Sequence, residues 1–432
     1  MNIYAGWGFK GSPFETTPLP ADRKGVSLMV GREKVARKII KGLKSSNKFV
    51  TVEGLNGVGK TSVINVSVFQ AAAEQITNGD GPLFIPCRKP FQLRPDVPAV
   101  EFKKEVLFEV AQTLIEARDK LPIPKGHIKS PNNPKLNRWL NSIEPAAGGF
   151  STPIGGVNYS GVPNQSEGFS ESGFEKSVVD WLKLIFPNSA EGGMVCIIDN
   201  LELLQTSKAA REQIESMRDD VMQIPGMRWV LCGALGIVQG VASSPRMAGY
   251  LQNSISIDDL EVSHAREIFR KRIEFFHLRQ DHSLPLTEEN FEYLFRVLRG
   301  NLRAVLSECE NFCMHVSDLH DDDEAVPNDV FALWFESEIK HAYESSIEFL
   351  GKRAMEVFEV ACDKEAFSPS EFEDFGCTSG EALRPHVKDL ETAGLLVSTQ
   401  DEADKRRRTV QVVPKGWKVR EYLIRSDENR TD

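Results

Sequence analysis

The stretch Gly54-Leu55-Asn56-Gly57-Val58-Gly59-Lys60-Thr61 matches G-x-x-x-x-G-K-[ST] at every fixed position. It follows a β-branched run at 48–53 and precedes a helical run at 61–74, so it reads as a strand-to-helix turn. Each residue type has a job there. The glycines let the loop wrap until successive backbone N–H groups point at one anion. The helix behind presents its positive N-terminal end to the same charge. Lys60 would reach the β- and γ-phosphates as a mobile cation, and the Thr61 hydroxyl would ligate Mg2+. Gly54, Asn56, Gly57, Val58, Gly59, Lys60, Thr61 and Ser62 are the expected ligands of ATP or ADP with Mg2+.

Downstream, Met194-Val195-Cys196-Ile197-Ile198-Asp199 is an apolar strand ending in a carboxylate. Asp199 at that end would hold the Mg2+ water shell from the second side. Asn200 comes next, where many hydrolysing ATPases carry Glu to orient water, and Glu202 lies two residues further on. Either Glu202 takes the base role, or Asn200 does so weakly, or turnover is slow. The strand at 228–232 offers only Cys232 as a polar contact near a γ-phosphate, and core packing is the simpler reading of that thiol.

Strand patterns at 48–53, 82–87, 194–198, 228–232 and 254–257 alternate with helical ones. That alternation predicts an α/β fold, a P-loop NTPase core over 26–260 with a mostly parallel five-stranded sheet. Residues 1–25, rich in Gly, Pro and aromatics (Tyr4, Trp7, Phe9, Phe14), read as an extended arm on the domain surface. Residues 121–173 hold many Pro, Gly, Ser and Asn, and read as an insertion with a β-hairpin at 151–160 around Gly155-Gly156. From 261 to 345 only helical periodicity occurs, which predicts an all-α lid of four helices. Residues 346–432 read helix, short helix, helix, two strands, helix: a winged helix-turn-helix. Its recognition helix at 379–392 is capped by Thr378 or Ser379, and Pro385 requires a late helix start or a kink.

Val30-Gly31-Arg32-Glu33 lies about 23 residues before the glycine loop, and Gly300-Asn301-Leu302-Arg303 opens a lid helix. These resemble the V-G-R-E box and the sensor 2 motif of the initiator-type and STAND groups of AAA+ ATPases. The resemblance spans roughly 26–424. It implies that the backbone of Val30, Gly31 and Arg32 lies against adenine and that Arg303 approaches the γ-phosphate. Arg246, just before the last sheet strand, is placed like an arginine finger, which implies a homo-oligomer in which it reaches a neighbour's nucleotide. Asn200 and Cys232 depart from the family pattern and imply slow hydrolysis. The resemblance thus implies an ATPase switch whose nucleotide state controls assembly and engagement of double-stranded DNA. A STAND-like signalling or scaffold ATPase, as in a bacterial defence complex, would instead dock a protein effector through the winged helix.

The net charge of −10 argues against a nonspecific nucleic-acid coat but leaves room for a local basic surface. Lys405, Arg406, Arg407 and Arg408 sit on the expected wing, and eight basic residues against one acidic lie between Lys405 and Arg425. With Arg384 and Lys388 of the recognition helix they form the candidate DNA face. Against this, residues 344–432 hold 14 Lys plus Arg and 19 Asp plus Glu, so protein docking stays open. Seven scattered cysteines without a CxxC pair read as reduced thiols of a cytoplasmic protein. No apolar run reaches membrane-span length and no signal peptide is evident. His127, His264, His277 and His282 have no metal-ligand spacing.

Overall fold

A computed structural model describes residues 3–45, 48–78, 81–120, 171–204, 207–234, 237–242, 244–247, 249–278, 283–319, 329–348, 350–401 and 407–431. The hairpin expected at 151–160, and most of the insertion around it, lie outside these. The α/β core begins with α1 (Ile3–Gly6), α2 (Arg23–Leu28), α3 (Glu33–Ser45), β1 (Val50–Gly54) and α4 (Lys60–Asn78). It continues with β2 (Leu83–Pro86), β3 (Phe91–Gln92), α5 (Ala99–Lys120), α6 (Glu171–Ile185) and β4 (Gly192–Asp199). It ends with α7 (Ser207–Met217), β5 (Met227–Gly233), α8 (Ile237–Ala242) and β6 (Ile255–Ile257).

The sheet order is β2-β4-β5-β1-β6, with β3 also paired to β4. Every pairing is parallel. The sheet therefore has six strands and not the expected five. Phe91–Gln92 is too short to show a period of its own and forms only because β4 runs on to Asp199 beside it. The strands read as continuous apolar runs because both faces are covered. Val195 and Ile197 of β4 pack with Ile39, Ile64 and Val68 of α3 and α4. Met194, Cys196 and Ile198, one residue out of phase, pack with Val106, Val110 and Trp181 of α5 and α6.

The lid consists of α9 (Ala265–Phe276), α10 (Glu288–Val297), α11 (Leu302–Leu319) and α12 (Val330–Ile347). The N-terminal segment does not lie on the surface as its composition suggested. Tyr4, Trp7, Phe9 and Phe14 are all buried, within one apolar cluster shared with Phe269, Phe291 and Phe312 of the lid. The aromatics that made the segment look like a surface arm are its anchors, since burying each ring removes a large apolar area from water.

The C-terminal region runs α13 (Lys352–Lys364), β7 (Ala366–Phe367), α14 (Gly380–Thr392), β8 (Leu396–Asp401), β9 (Arg407–Val412) and α15 (Pro414–Thr431). The strands form an antiparallel sheet in the order β7-β9-β8. The expected short helix is a single 3-10 turn, Pro369–Glu371, closed by a capping box between Ser368 and Glu371. Ser379 caps α14 through Ala382 N–H, and the helix runs on through Pro385. This region shares the lid's apolar cluster: Val357, Leu390 and Trp417 belong to it. β8 returns to lie near α8 of the core.

α15 is bolted to the lid by charge as well as packing. Lys418 Nζ lies 2.6 Å from Glu308 Oε1 and 3.5 Å from Glu338 Oε2, with the first pair largely buried. Removing the cation strands a buried carboxylate. Lys418→Met should lower stability by about 3–5 kcal/mol, and Lys418→Met with Glu308→Leu should recover most of it. The urea midpoint of each variant measures both effects; a single variant as stable as the parent would refute the bolt.

Candidate functional site

The phosphate loop leaves β1 at Gly54 and enters α4 at Lys60. Gly57 and Gly59 have φ of 91° and 90°, in the left-handed region that side chains disfavour. Gly54 is held for a different reason: a Cβ there would meet the Ile257 carbonyl oxygen at 2.5 Å. Lys60 is buried, and its Nζ donates to the Gly54 and Leu55 carbonyl oxygens at 3.1 and 3.0 Å, with Asn56 Oδ1 at 3.4 Å. The cation thus sits within the curl of the loop.

β4 delivers Asp199 to the same cleft. The Thr61 hydroxyl donates to Asp199 Oδ2 at 2.5 Å. Asn200 N–H donates to Asp199 Oδ1 at 2.9 Å, which fixes the carboxylate plane. Asn200 itself adopts a φ of 55°, a conformation that Asn tolerates better than most residues. A hydroxyl and a carboxylate oxygen meeting at the start of α4 suit Mg2+, which favours hard oxygens and keeps several waters. Among the described residues no cluster of three or more His, Cys, Asp or Glu forms a metal cage. An ion shared with phosphates does not need one. Pro18, Asn56, Gly57, Gly59, Ser62, Asn200 and Arg303 line the cleft around Lys60, Thr61 and Asp199.

A second cleft adjoins the first and shares Gly57, Gly59 and Ser62 with it. Val30, Arg32, Val58 and Leu302 line it, and Arg303 borders both clefts. Gly31 has a φ of 71°, and a Cβ on it would meet His264 Cδ2 at 2.9 Å. The box that opens α3 is thereby pressed against the junction of core and lid. Arg32 Nη2 donates to the Val58 carbonyl oxygen at 3.0 Å, bracing the loop from outside the phosphate cleft. Burial pulls the Arg32 pKa down, while Asp259 and Asp258 oppose that shift.

Three features escaped the sequence reading. Asn301 caps α11 through Ala304 N–H and donates from Nδ2 to the Asn56 carbonyl oxygen at 3.2 Å, joining lid to phosphate loop. The N-terminal segment lines the second cleft with Thr16, Thr17, Pro18 and Leu19. Arg272 of α9 lines it too. Asn301 was legible in principle, since Asn before a helix is a capping signal. No local signal ties residues 16–19 to the loop, which begins 35 positions after Leu19.

Other expected residues fall elsewhere. Cys232 is buried on the α3–α4 face of the sheet, paired in register with Val52, and belongs to the core. Glu202 lies in the 3-10 turn Leu201–Leu204, and its side chain lies outside the described residues. Arg246 stands at the edge of the sheet away from its own phosphate loop. Nearby, Phe49 N–H, at the start of β1, donates to the Tyr250 carbonyl oxygen. The Arg246 side chain is exposed, with Nη1 3.7 Å from Glu215.

The basic run near the C-terminus is smaller than its sequence count. Lys415 donates to the Ala393 carbonyl oxygen, Lys418 pairs with Glu308, Arg420 with Asp363, and Arg425 with Glu336. Those four serve internal joints. Lys405 and Arg406, and the side chains of Arg407 and Arg408 on β9, lie outside the described residues. Arg384 and Lys388 are exposed on α14, as are Glu381 and Asp389. None of the seven cysteines forms a disulfide, and no helix among the described residues is long and apolar enough to cross a membrane.

No protein-family model matches the chain, and no curated protein matches it by sequence. Its structural neighbours are origin-recognition and related ATPases. The ORC1 protein of Aeropyrum pernix, solved in complex with DNA, is 14% identical over 97% of this chain and 98% of its own, with a TM-score of 0.44. The ADP form of the ORC2 protein of the same organism is 12% identical over 97% of each chain, with a TM-score of 0.46. A Walker-type ATPase of Pyrococcus abyssi is 12% identical over 94% and 98%, with a TM-score of 0.45.

The Asn301 contact generates a kinetic expectation. Asn301→Ala removes one hydrogen bond, worth about 1 kcal/mol, between lid and loop. Release of a fluorescent ADP analogue, followed by stopped flow, should quicken by about 3- to 10-fold. An unchanged off-rate would mean that lid and loop are not coupled there.

Proposed function

We propose that the chain is an ATP-binding AAA+-type switch that turns over slowly and uses its nucleotide state to set assembly and engagement of DNA. The observation that carries this reading is the convergence of Lys60, Thr61, Asp199 and Arg303 on one cleft, from the start of α4, the end of β4 and the lid. Lys60 would exchange its loop carbonyls for phosphate oxygens. Asn200 N–H keeps Asp199 oriented while the Thr61 hydroxyl and that carboxylate hold the ion. Mg2+, when bound, would neutralise charge on the β- and γ-phosphates. Arg303 belongs to the lid, so its hold on the phosphates would report occupancy to the lid and the winged helix joined to it. An amide at Asn200 orients a water but accepts no proton, which accounts for slow turnover. Arg246, exposed and remote from its own cleft, would serve a neighbouring copy.

The DNA contact would rest on Arg384, Lys388 and Lys405 to Arg408. A second reading, docking of a protein effector, is favoured by the internal pairing of Lys418, Arg420 and Arg425 and by the mixed charge of α14.

Lys60→Ala should abolish ATP binding. Asp199→Asn should keep binding but lose its Mg2+ dependence. Turnover of the parent should lie well below the roughly 10 per second typical of enzymes. ATP binding by Lys60→Ala at parental strength would sink the reading. For the DNA arm, affinity should fall steeply between about 50 and 200 mM salt and vanish in Arg406→Ala/Arg407→Ala/Arg408→Ala. Binding indifferent to salt would move the proposal to the protein effector.

A further inference from the structure

Cys87 and Cys196 are far apart in the chain and side by side in the sheet. β2 pairs with β4 in parallel register, with Pro86 opposite Val195. The ladder continues one residue past β2. Cys87 N–H donates to the Val195 carbonyl oxygen at 2.9 Å, which sets Cys87 beside Cys196. Both side chains lie on the α5–α6 face, where Cys196 is buried in the apolar cluster and Cys87, partly exposed, packs against it. Neighbouring strands run about 4.8 Å apart, inside the roughly 4.4–6.8 Å between Cα atoms that a disulfide spans. The two thiols hydrogen-bond to each other. Neither lines the nucleotide cleft or the one beside it.

Cys87 has a setting that the buried cysteines lack. Its Sγ lies 3.6 Å from Thr113 Oγ1 of α5. The Thr113 hydroxyl donates to the Glu109 carbonyl oxygen at 2.7 Å, and its single proton can turn to the sulfur once the thiol ionises. The hydrogen bond from Cys196 pulls the Cys87 pKa below its ordinary value. Burial opposes that shift, and the Thr113 hydroxyl and Lys89 N–H add to it. The Glu109 carboxylate also opposes it, but Arg88 and Lys89 both pair with that carboxylate. Burial pushes Cys196, Cys309, Cys313 and Cys362 the other way. A partly exposed thiol that ionises readily, with a second sulfur against it, is the arrangement that reacts with peroxides and resolves to a disulfide.

We propose that Cys87 and Cys196 form an oxidisable pair, in which Cys87 attacks hydrogen peroxide and Cys196 resolves the product. The Cys87 thiolate takes one oxygen as the O–O bond breaks, giving a sulfenic acid and a hydroxide. That hydroxide recovers the proton Cys87 gave up and leaves as water. The Cys196 sulfur then attacks the Cys87 sulfur, the S–O bond breaks, and the Cys196 proton leaves with the hydroxide as a second water. Two thiols and one peroxide thus become one disulfide and two waters. The new bond ties the end of β2 to β4, the strand that ends at Asp199.

The reduced full chain is treated with hydrogen peroxide, blocked with iodoacetamide and mapped by peptide mass spectrometry. A peptide linking Cys87 to Cys196 should be the first product. In Cys196→Ala, dimedone should instead trap Cys87 as its sulfenic acid. Where Cys196→Ala fails to fold, iodoacetamide alkylation of the parent across pH decides. Its midpoint at Cys87 should lie below that at Cys377, the other partly exposed thiol, and Cys87 should react about 3- to 10-fold faster at neutral pH. Thr113→Val should raise the Cys87 midpoint and slow its alkylation about threefold, with Cys377 unchanged. No Cys87–Cys196 link, a first link between other cysteines, or an alkylation midpoint at Cys87 no lower than at Cys377 overturns the proposal.

Discussion

The hydrogen bond from Thr61 to Asp199 ties together strands that are not neighbours. β1, which leads to Thr61, and β4, which ends at Asp199, are separated in the sheet by β5. The bond exists because both strands terminate at the same edge, where parallel pairing puts every C-terminal end. The chain then needs only a helix starting at Lys60 and a left-handed Asn200 to bring a hydroxyl and a carboxylate face to face. The loop and the cleft lined by Lys60, Asp199 and Arg303 lie at that edge.

The site was legible to differing depths. Gly54 to Thr61 and Asp199 announce themselves because their chemistry fixes residue type at fixed spacing. The sheet was legible except for β3, since two residues carry no period and Phe91–Gln92 pair only by tertiary context. The basic run 405–425 was legible only as a count, because sequence shows charges without partners. Lys418 is spoken for by Glu308, and Arg420 by Asp363, residues far away in the chain. The N-terminal aromatics misled for the opposite reason. Gly and Pro around Trp7 and Phe9 signal irregular backbone, and irregular backbone is usually superficial. Here the rings insert into the lid regardless.

Two kinds of contact hold the lid over the cleft, and they differ in strength. Phe14 and Trp7 sit in a continuous apolar core and set the lid's position at large. Asn301 on Asn56 is one neutral hydrogen bond. Such a light tie can break and reform without unfolding anything.

The return of β8 to α8 gives the molecule the form of a closed linkage. Core joins lid through the N-terminal segment, lid joins the C-terminal region through a shared apolar core and the Lys418 bolt, and that region meets core again at the hairpin. In such a circuit no member turns alone. A displacement imposed at one joint must be taken up at another, and it goes to the most compliant. Two joints here are welded by buried rings and charge. The third is a short strand resting near a six-residue helix. Slack in this frame therefore collects at the hairpin, at the opposite end of the circuit from the phosphate loop.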